Sequence, residues 1–419
     1  MNLAAPFAVG LCHPAPSDII ASKLDASLRR LIHFRPFAPG SARGHYTLSR
    51  EGMLDVANPL WDWFPAARVV DRAAAIVVAE LGQNHNGSLA LAEQLVDAAA
   101  WAGADAVKLV KRDLDCELSR DARLRPYDSR HAFGRTYGEH RAALELTLDD
   151  HAALAARARR HGLLCIGTGC DMPSVEGYVR IGVDALKIAS RDVDNLPLVD
   201  FVAARGLPVL MSTGMSSLEE VDAAAEVLNE HGARWAVLHC TSLYPTPLEA
   251  AHLNSIPTLA DRYGVPVGFS DHSQGILIAP SAVALGARVI EKHLTLDRSA
   301  RGSDHACSLE PDELRELIAN IRAVEAALGD RRKPVPAAVA PIRARLGRSL
   351  VACVAIPAGT RIEAQMLTLK CPGDGLRWSE RAAVIGCRAA RDIAADEMLA
   401  LGDVEAGRAP NKRSLKSRG

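Results

Sequence analysis

From about residue 76 the chain alternates short apolar, β-branched runs with longer stretches whose apolar residues recur every three or four positions. The first pattern suits a strand and the second an amphipathic helix. Eight runs stand out: Ile76–Glu80, Ala106–Leu109, Leu163–Gly167, Ala185–Ala189, Pro208–Ser212, Ala236–Cys240, Pro266–Ser270 and Arg288–Lys292. Helical segments separate them. Ser88 is placed to cap a helix whose Leu91, Leu95, Ala98 and Ala99 share one face, and Ser217 with Glu220 makes a capping-box pair. A last helix aligns Leu314, Leu317, Ile318, Ile321, Val324 and Leu328, and Gly329 ends it. Repeated βα units predict an α/β fold with a parallel sheet. Eight of them in about 255 residues match a (β/α)8 TIM barrel better than an open doubly wound sheet.

Outside this region the pattern changes. Residues 1–70 mix Pro, Gly, Trp and Arg without a period and are read as an N-terminal extension of unknown role. The barrel is expected over 71–330, a Pro-, Arg- and Ala-rich linker over 331–342, and a small β-rich module over 343–406. Within that module Ile356–Ile362 is echoed by Ile393–Leu399, which predicts internal pseudo-symmetry. The last residues, 407–419, form a basic, polar tail read as solvated.

Composition narrows the function. Basic and acidic residues nearly cancel, 49 against 50, and aromatics are 4% of the 419 residues. Neither a nucleic-acid face nor base-stacking platforms are expected from that. No apolar run approaches the ~18 residues of a membrane span. Nine cysteines are scattered without a CxxC pair, which predicts reduced thiols in a cytoplasmic protein, not a disulfide frame or a zinc cage. The first residues carry no positive segment before a short apolar stretch, so no signal peptide is expected.

In a barrel of this kind the chemistry sits at the C-terminal ends of the strands. There the sequence is polar eight times over: Glu80, Lys108, Thr168, Lys187 with Ser190, Ser212 with Thr213, Ser242 with Tyr244, His272, and Glu291 with His293, followed by Asp304. A lysine inside an apolar strand needs an anionic partner. Lys108 and Lys187, together with the hydroxyls, suit a phosphate and a carboxylate. His272 and His293 end adjacent strands, so their rings are candidates to converge on one divalent metal. Asn84 and His85 are read as shaping the first βα turn, and Cys240 as packing. The set fits condensation of an anionic enol donor with a carbonyl acceptor.

These residues lie in segments that resemble the sialic acid synthases: AELGQNHNGS, GADAVKLVKRD, GRTYGEHRAALEL, KIASRD, MSTGMSS, LHCTSLYPTP, GFSDHS, ALGARVIEKHLTLDR and GSDHACSLEP, in that order. The run RLGRSLVACVAIPAGTRI resembles the antifreeze-like (SAF) domain that such enzymes carry. The resemblance implies a TIM barrel followed by a small β-rich antifreeze-like domain, in a domain-swapped homodimer. It implies joining of phosphoenolpyruvate to N-acetylmannosamine or its 6-phosphate, with Mn2+ or Mg2+ assisting. By motif, His272 and His293 become the metal ligands. Lys108, Thr168, Lys187, Ser190 and Ser212 become the phosphoenolpyruvate site. Glu80, Ser242, Tyr244 and Asp304 face the amino sugar, and Glu291 is the acid/base residue. The same condensation with another amino sugar or aldose is the alternative, and a non-catalytic carbohydrate-binding protein the remote one.

One position departs from the pattern. Many bacterial members place an arginine before a Pro-Gly pair in the antifreeze-like domain, where this chain has Lys370-Cys371-Pro372-Gly373. The segment from Arg125 to Arg141 is more similar to animal synthases, which use the 6-phosphate, and its basic residues are candidates to meet a second phosphate.

Overall fold

The structure, a computed structural model, describes residues 62–63, 74–329 and 332–405. Apart from Asp62 and Trp63, the expected N-terminal extension lies outside the described residues, as does the basic tail. The chain divides into two compact units at Gly329.

The first unit is a closed barrel of eight parallel strands in sequential order. They are β1 (Ile76–Gly82), β2 (Ala106–Lys111), β3 (Leu164–Gly169), β4 (Ala185–Ile188), β5 (Val209–Ser212), β6 (Trp235–Cys240), β7 (Val267–Asp271) and β8 (Val289–His293). Each expected run is a strand to within two residues at either end. Two apolar layers hold the barrel. One joins the outer faces of the strands to the surrounding helices, through residues such as Val77, Leu95, Leu154, Leu186 and Leu317. The other fills the interior with Ile76, Val78, Leu164, Ile166, Leu210 and Leu238, and Trp63 packs against it.

Local chemistry sets the helix limits. The Ser88 hydroxyl accepts from the Leu91 N–H and starts helix Leu89–Ala102, and Gly103 ends it at φ 88° in the left-handed region. Its buried face is Ala92, Leu95, Val96, Ala99 and Ala102. Leu91, expected on that face, is instead exposed at 36%. At 3.6 residues per turn the buried stripe passes through 92 and 96, leaving 91 at its edge. The expected Ser217–Glu220 capping box is formed at helix Leu218–Glu230. The final helix, Pro311–Leu328, buries Leu314, Leu317, Ile318 and Ile321.

The second unit has its own core of Leu350, Ile356, Ile362, Val384, Ile393 and Leu399. Strand β9 (Ser349–Ala352) pairs antiparallel with β10 (Leu367–Lys370). The two echoed segments meet where each begins, in an antiparallel bridge between Ile356 and Ile393. Both isoleucines are 1% exposed, so each segment covers the other's apolar anchor.

Candidate active site

Of the thirteen strand-end residues singled out from the sequence, all but Thr213 line one cavity of about 360 Å³ at the C-terminal end of the barrel, and the Thr213 hydroxyl instead donates to the Leu238 carbonyl at 3.1 Å. Register explains their convergence. Glu80 on β1 is paired with Lys108 on β2 and with His293 on β8. Thr168 on β3 stands beside Lys187 on β4, and Ser270 on β7 beside Glu291 on β8. Side chains alternate along a strand, so neighbours in register share the inner face.

Four of these groups form an ion-pair lattice. The Lys108 ammonium contacts the Glu80 carboxylate and lies 2.8 Å from Glu291 Oε1. Lys187 Nζ donates to Glu291 Oε1 and Oε2 at 3.2 and 3.0 Å, and the Ser270 hydroxyl donates to Oε1 at 2.8 Å. All four charged groups are buried. Burial alone would raise the Glu291 pKa, but Lys108 and Lys187 outweigh it and hold the carboxyl well below its usual range. Burial in turn lowers Lys108 to about 7, against the attraction of Glu291. Behind Glu80 the strand register shifts, and Gly82, at φ 48°, donates its N–H to Glu80 Oε1. That bulge aims the carboxylate into the barrel.

His272 and His293 lie side by side, with ring centroids 5.3 Å apart. Tyr244 packs on His272 at 4.1 Å and meets His293 edge-on at 5.9 Å. His272 Nδ1 is 3.1 Å from the Thr241 carbonyl, so Nδ1 carries the proton and the Nε2 lone pair is free. His293 Nδ1 is buried without a hydrogen-bond partner. Burial, then the neighbouring His293, lowers His272 to about 3. Burial likewise lowers His293 to about 4, and both rings are neutral at pH 7. Among the described residues no group of three or more His, Cys, Asp or Glu is placed to cage a metal.

The hydroxyls complete the wall. Thr168 Oγ1 and Ser212 Oγ are buried without hydrogen-bond partners, and Ser190 Oγ accepts from the Gly214 N–H at 3.0 Å. Gly214 leaves no room for a larger residue, since a Cβ there would lie 2.6 Å from Ser242 Oγ and 2.8 Å from Cys240 Sγ. Asp304 accepts from the Ser303 hydroxyl at 2.6 Å. Cys240 also lines the cavity, its Sγ 3.6 Å from His272 Nδ1. Burial raises its thiol pKa, so no activated nucleophile is made there.

Three arginines line the same cavity. Arg141 comes from helix Tyr137–Leu144 and donates to the Tyr137 hydroxyl at 2.8 Å. Arg112 and Arg191 carried no separate weight in the sequence reading. Each stands one place before an aspartate that follows a strand, Lys111-Arg112-Asp113 and Ser190-Arg191-Asp192, and that repeated pattern was the available signal. Arg112 is 2% exposed and is braced by Glu117 at 3.1 Å and Glu145 at 3.3 Å.

A closed barrel whose mouth gathers paired charges, free hydroxyls and two neutral imidazoles defines an enzyme that handles an anionic substrate. Residues 95–333 match the NeuB family and residues 347–405 the SAF domain. The chain is 38% identical over 307 residues to the N-acetylneuraminate-9-phosphate synthase of Mus musculus, covering 73% of this chain and 86% of that one. It is 37% identical over 336 residues to the N,N'-diacetyllegionaminic acid synthase of Legionella pneumophila, covering 79% and 94%. Among solved structures, the N-acetylneuraminic acid synthetase of Leptospira borgpetersenii in complex with citrate superimposes with a TM-score of 0.57 at 33% identity, over 64% of this chain and 90% of that one. The chain belongs to the NeuB family, as a (β/α)8 barrel followed by an SAF domain. It is a phosphoenolpyruvate-dependent enzyme of the sialic acid synthase type, a transferase that forms a carbon–carbon bond. Among the described residues no helix is long and apolar enough to cross a membrane.

Proposed function

We propose that the chain condenses phosphoenolpyruvate with N-acetylmannosamine 6-phosphate, giving N-acetylneuraminate 9-phosphate and inorganic phosphate. The observation that carries the choice of acceptor is Arg141. It brings the segment that resembles animal synthases into the wall of the cavity that Tyr244 also lines, near enough to Asp304 to lower its pKa by charge. A guanidinium there suits a second phosphate. The mouse relative supports the same reading.

Lys108, Lys187, Thr168, Ser190 and Ser212 hold the donor, whose charges match two ammoniums and whose oxygens match the two unpartnered hydroxyls. Glu80, Ser242, Tyr244 and Asp304 orient the acceptor. C3 of the enol attacks the acceptor aldehyde and water adds at C2; one proton of that water ends on the former aldehyde oxygen as a hydroxyl, and the other leaves with the phosphate as the C2–O–phosphorus bridge breaks at C2 and the ketone forms. Glu291 is ionised and hydrogen-bonded on both oxygens, so it stabilises the positive charge that develops at C2 and orients the adding water.

His272 and His293 are the residues that would hold a divalent ion. Both rings are neutral, the Nε2 lone pair of His272 is free, and Nδ1 of His293 has no hydrogen-bond partner, as ligation requires. Nitrogen donors suit Mn2+ better than Mg2+, which favours oxygen. Such an ion supplies Lewis-acid polarisation of the aldehyde.

The test is phosphate release from phosphoenolpyruvate with Mn2+ present, comparing N-acetylmannosamine with its 6-phosphate and weighing the product by mass spectrometry. Preference for the 6-phosphate is expected. Preference for the free sugar, or turnover only with a diacetylated amino sugar as in the Legionella relative's product, would overturn the acceptor assignment. The condensation would stand.

A further inference from the structure

Arg191 takes no part in the chemistry above, yet its place is specific. It lies on the short turn Ser190–Asp192 directly after β4 and lines the cavity. Its Nη2 is 3.2 Å from Cys170 Sγ, so the side chain reaches from the end of β4 to the end of β3. Cys170 is two residues beyond Thr168. The β2–β3 ladder extends that far, because the Cys170 N–H donates to the Lys111 carbonyl at 3.1 Å. The guanidinium lines the same cavity as Thr168 Oγ1 and Ser212 Oγ, both buried and without hydrogen-bond partners.

The looseness of its ion pairs separates Arg191 from the other cations on this side. Lys108 is neutralised by Glu80 and Glu291, and Lys187 by Glu291. Arg112 is braced between Glu117 and Glu145. Arg191 is ion-paired with Asp192 at 3.7 Å and Glu117 at 3.9 Å, but at these distances neither carboxylate takes a hydrogen bond from it. Its side chain is 36% exposed. A guanidinium has five N–H donors in a planar fork, and most of these remain for a ligand.

We infer that Arg191 binds the phosphoryl group of the donor, and the inorganic phosphate that it becomes, together with Thr168 and Ser212. It is a specificity residue for a phosphorylated donor. The inference rests on the proposed condensation only for the identity of that donor.

The test uses the full chain with Arg191→Gly and Arg191→Lys. Inorganic phosphate is titrated calorimetrically, without turnover. Its dissociation constant is expected to rise roughly 10- to 100-fold in the glycine variant, the range for charge-assisted hydrogen bonds, and less in the lysine variant. The KM for phosphoenolpyruvate should rise in parallel, with the acceptor KM unchanged. Unchanged phosphate affinity in R191G, or an acceptor KM that rises instead, would overturn the assignment. If R191G does not fold, R191Q replaces it, with the same outcomes. A wild-type protein that binds phosphate through Arg191 but turns over no acceptor would leave this site standing and remove the condensation reading. Normal turnover with unchanged phosphate binding in the variants would do the reverse.

Discussion

Replacing Lys292 with Met isolates a buried charge. Lys292 Nζ lies 2.9 Å from Asp271 Oδ2, and both side chains have 0% exposure. Asp271 Oδ1 also accepts from the Ser273 N–H at 2.8 Å and the Ser273 hydroxyl at 2.6 Å. Lys292 also donates to the Ser273 carbonyl. The substitution keeps two of the three hydrogen bonds to the carboxylate but removes its only cation partner in this pair, and it strips a carbonyl of its donor. Breaking one side of a buried pair costs about 3–5 kcal/mol. The retained Ser273 bonds place this case at the lower end, about 3 kcal/mol. At about 2–4 °C per kcal/mol for a domain of this size, Tm should fall by about 6–12 °C. The double variant Asp271→Leu, Lys292→Met removes both charges and should recover most of the loss. Thermal melts of the wild type, the single and the double variant, followed by circular dichroism, decide the matter. A loss under about 1 kcal/mol in K292M, or a double variant no better than the single, would refute the reasoning.

Three further outcomes are expected. His272→Ala and His293→Ala should each lower Mn2+-dependent phosphate release by about 4 kcal/mol, roughly a thousandfold, and full activity in both would sink the metal assignment. Gly167→Ala should cost about 1–3 kcal/mol in urea unfolding, because a Cβ there would lie 2.5 Å from Cγ of the fully buried Tyr178 ring; an unchanged midpoint would show that the ring yields. His151, beside the Tyr178 hydroxyl at 3.2 Å, has its pKa lowered by burial to about 3. The unfolded chain therefore takes up a proton that the folded chain refuses. The stability tied to His151 is complete above about pH 6.5 and declines towards pH 3, by up to about 1.4 kcal/mol per pH unit. His151→Gln should flatten that part of the stability profile, and an unaltered slope in urea melts at pH 4–6.5 would exclude this histidine as its source.

The strands were legible because a parallel barrel strand is apolar on both faces, so each appears as a short unbroken run. The site was legible for the same reason. Lys108, Lys187 and Glu291 interrupt runs in which a charge has no place unless something answers it, and in the structure they answer one another. Arg112 and Arg191 escaped notice because they follow their strands, where basic residues are ordinary. Leu91 was misplaced by a single position, which is enough to move a helical residue by 100° around the axis. The partner of Ile356 was visible as a repeated motif, but only the folded chain shows that the two copies pair.

The quartet of Glu80, Lys108, Lys187 and Glu291 sets two carboxylates against two amines, and its members serve as one another's partners. The barrel mouth therefore works like an ion-exchange resin more than like a magnet. An incoming anion competes with the glutamates for the lysines, whereas an uncharged mimic has nothing to trade. Permselectivity of this kind needs no long-range field. Because the charges are buried, it should persist at salt concentrations that erase the attraction of a surface patch.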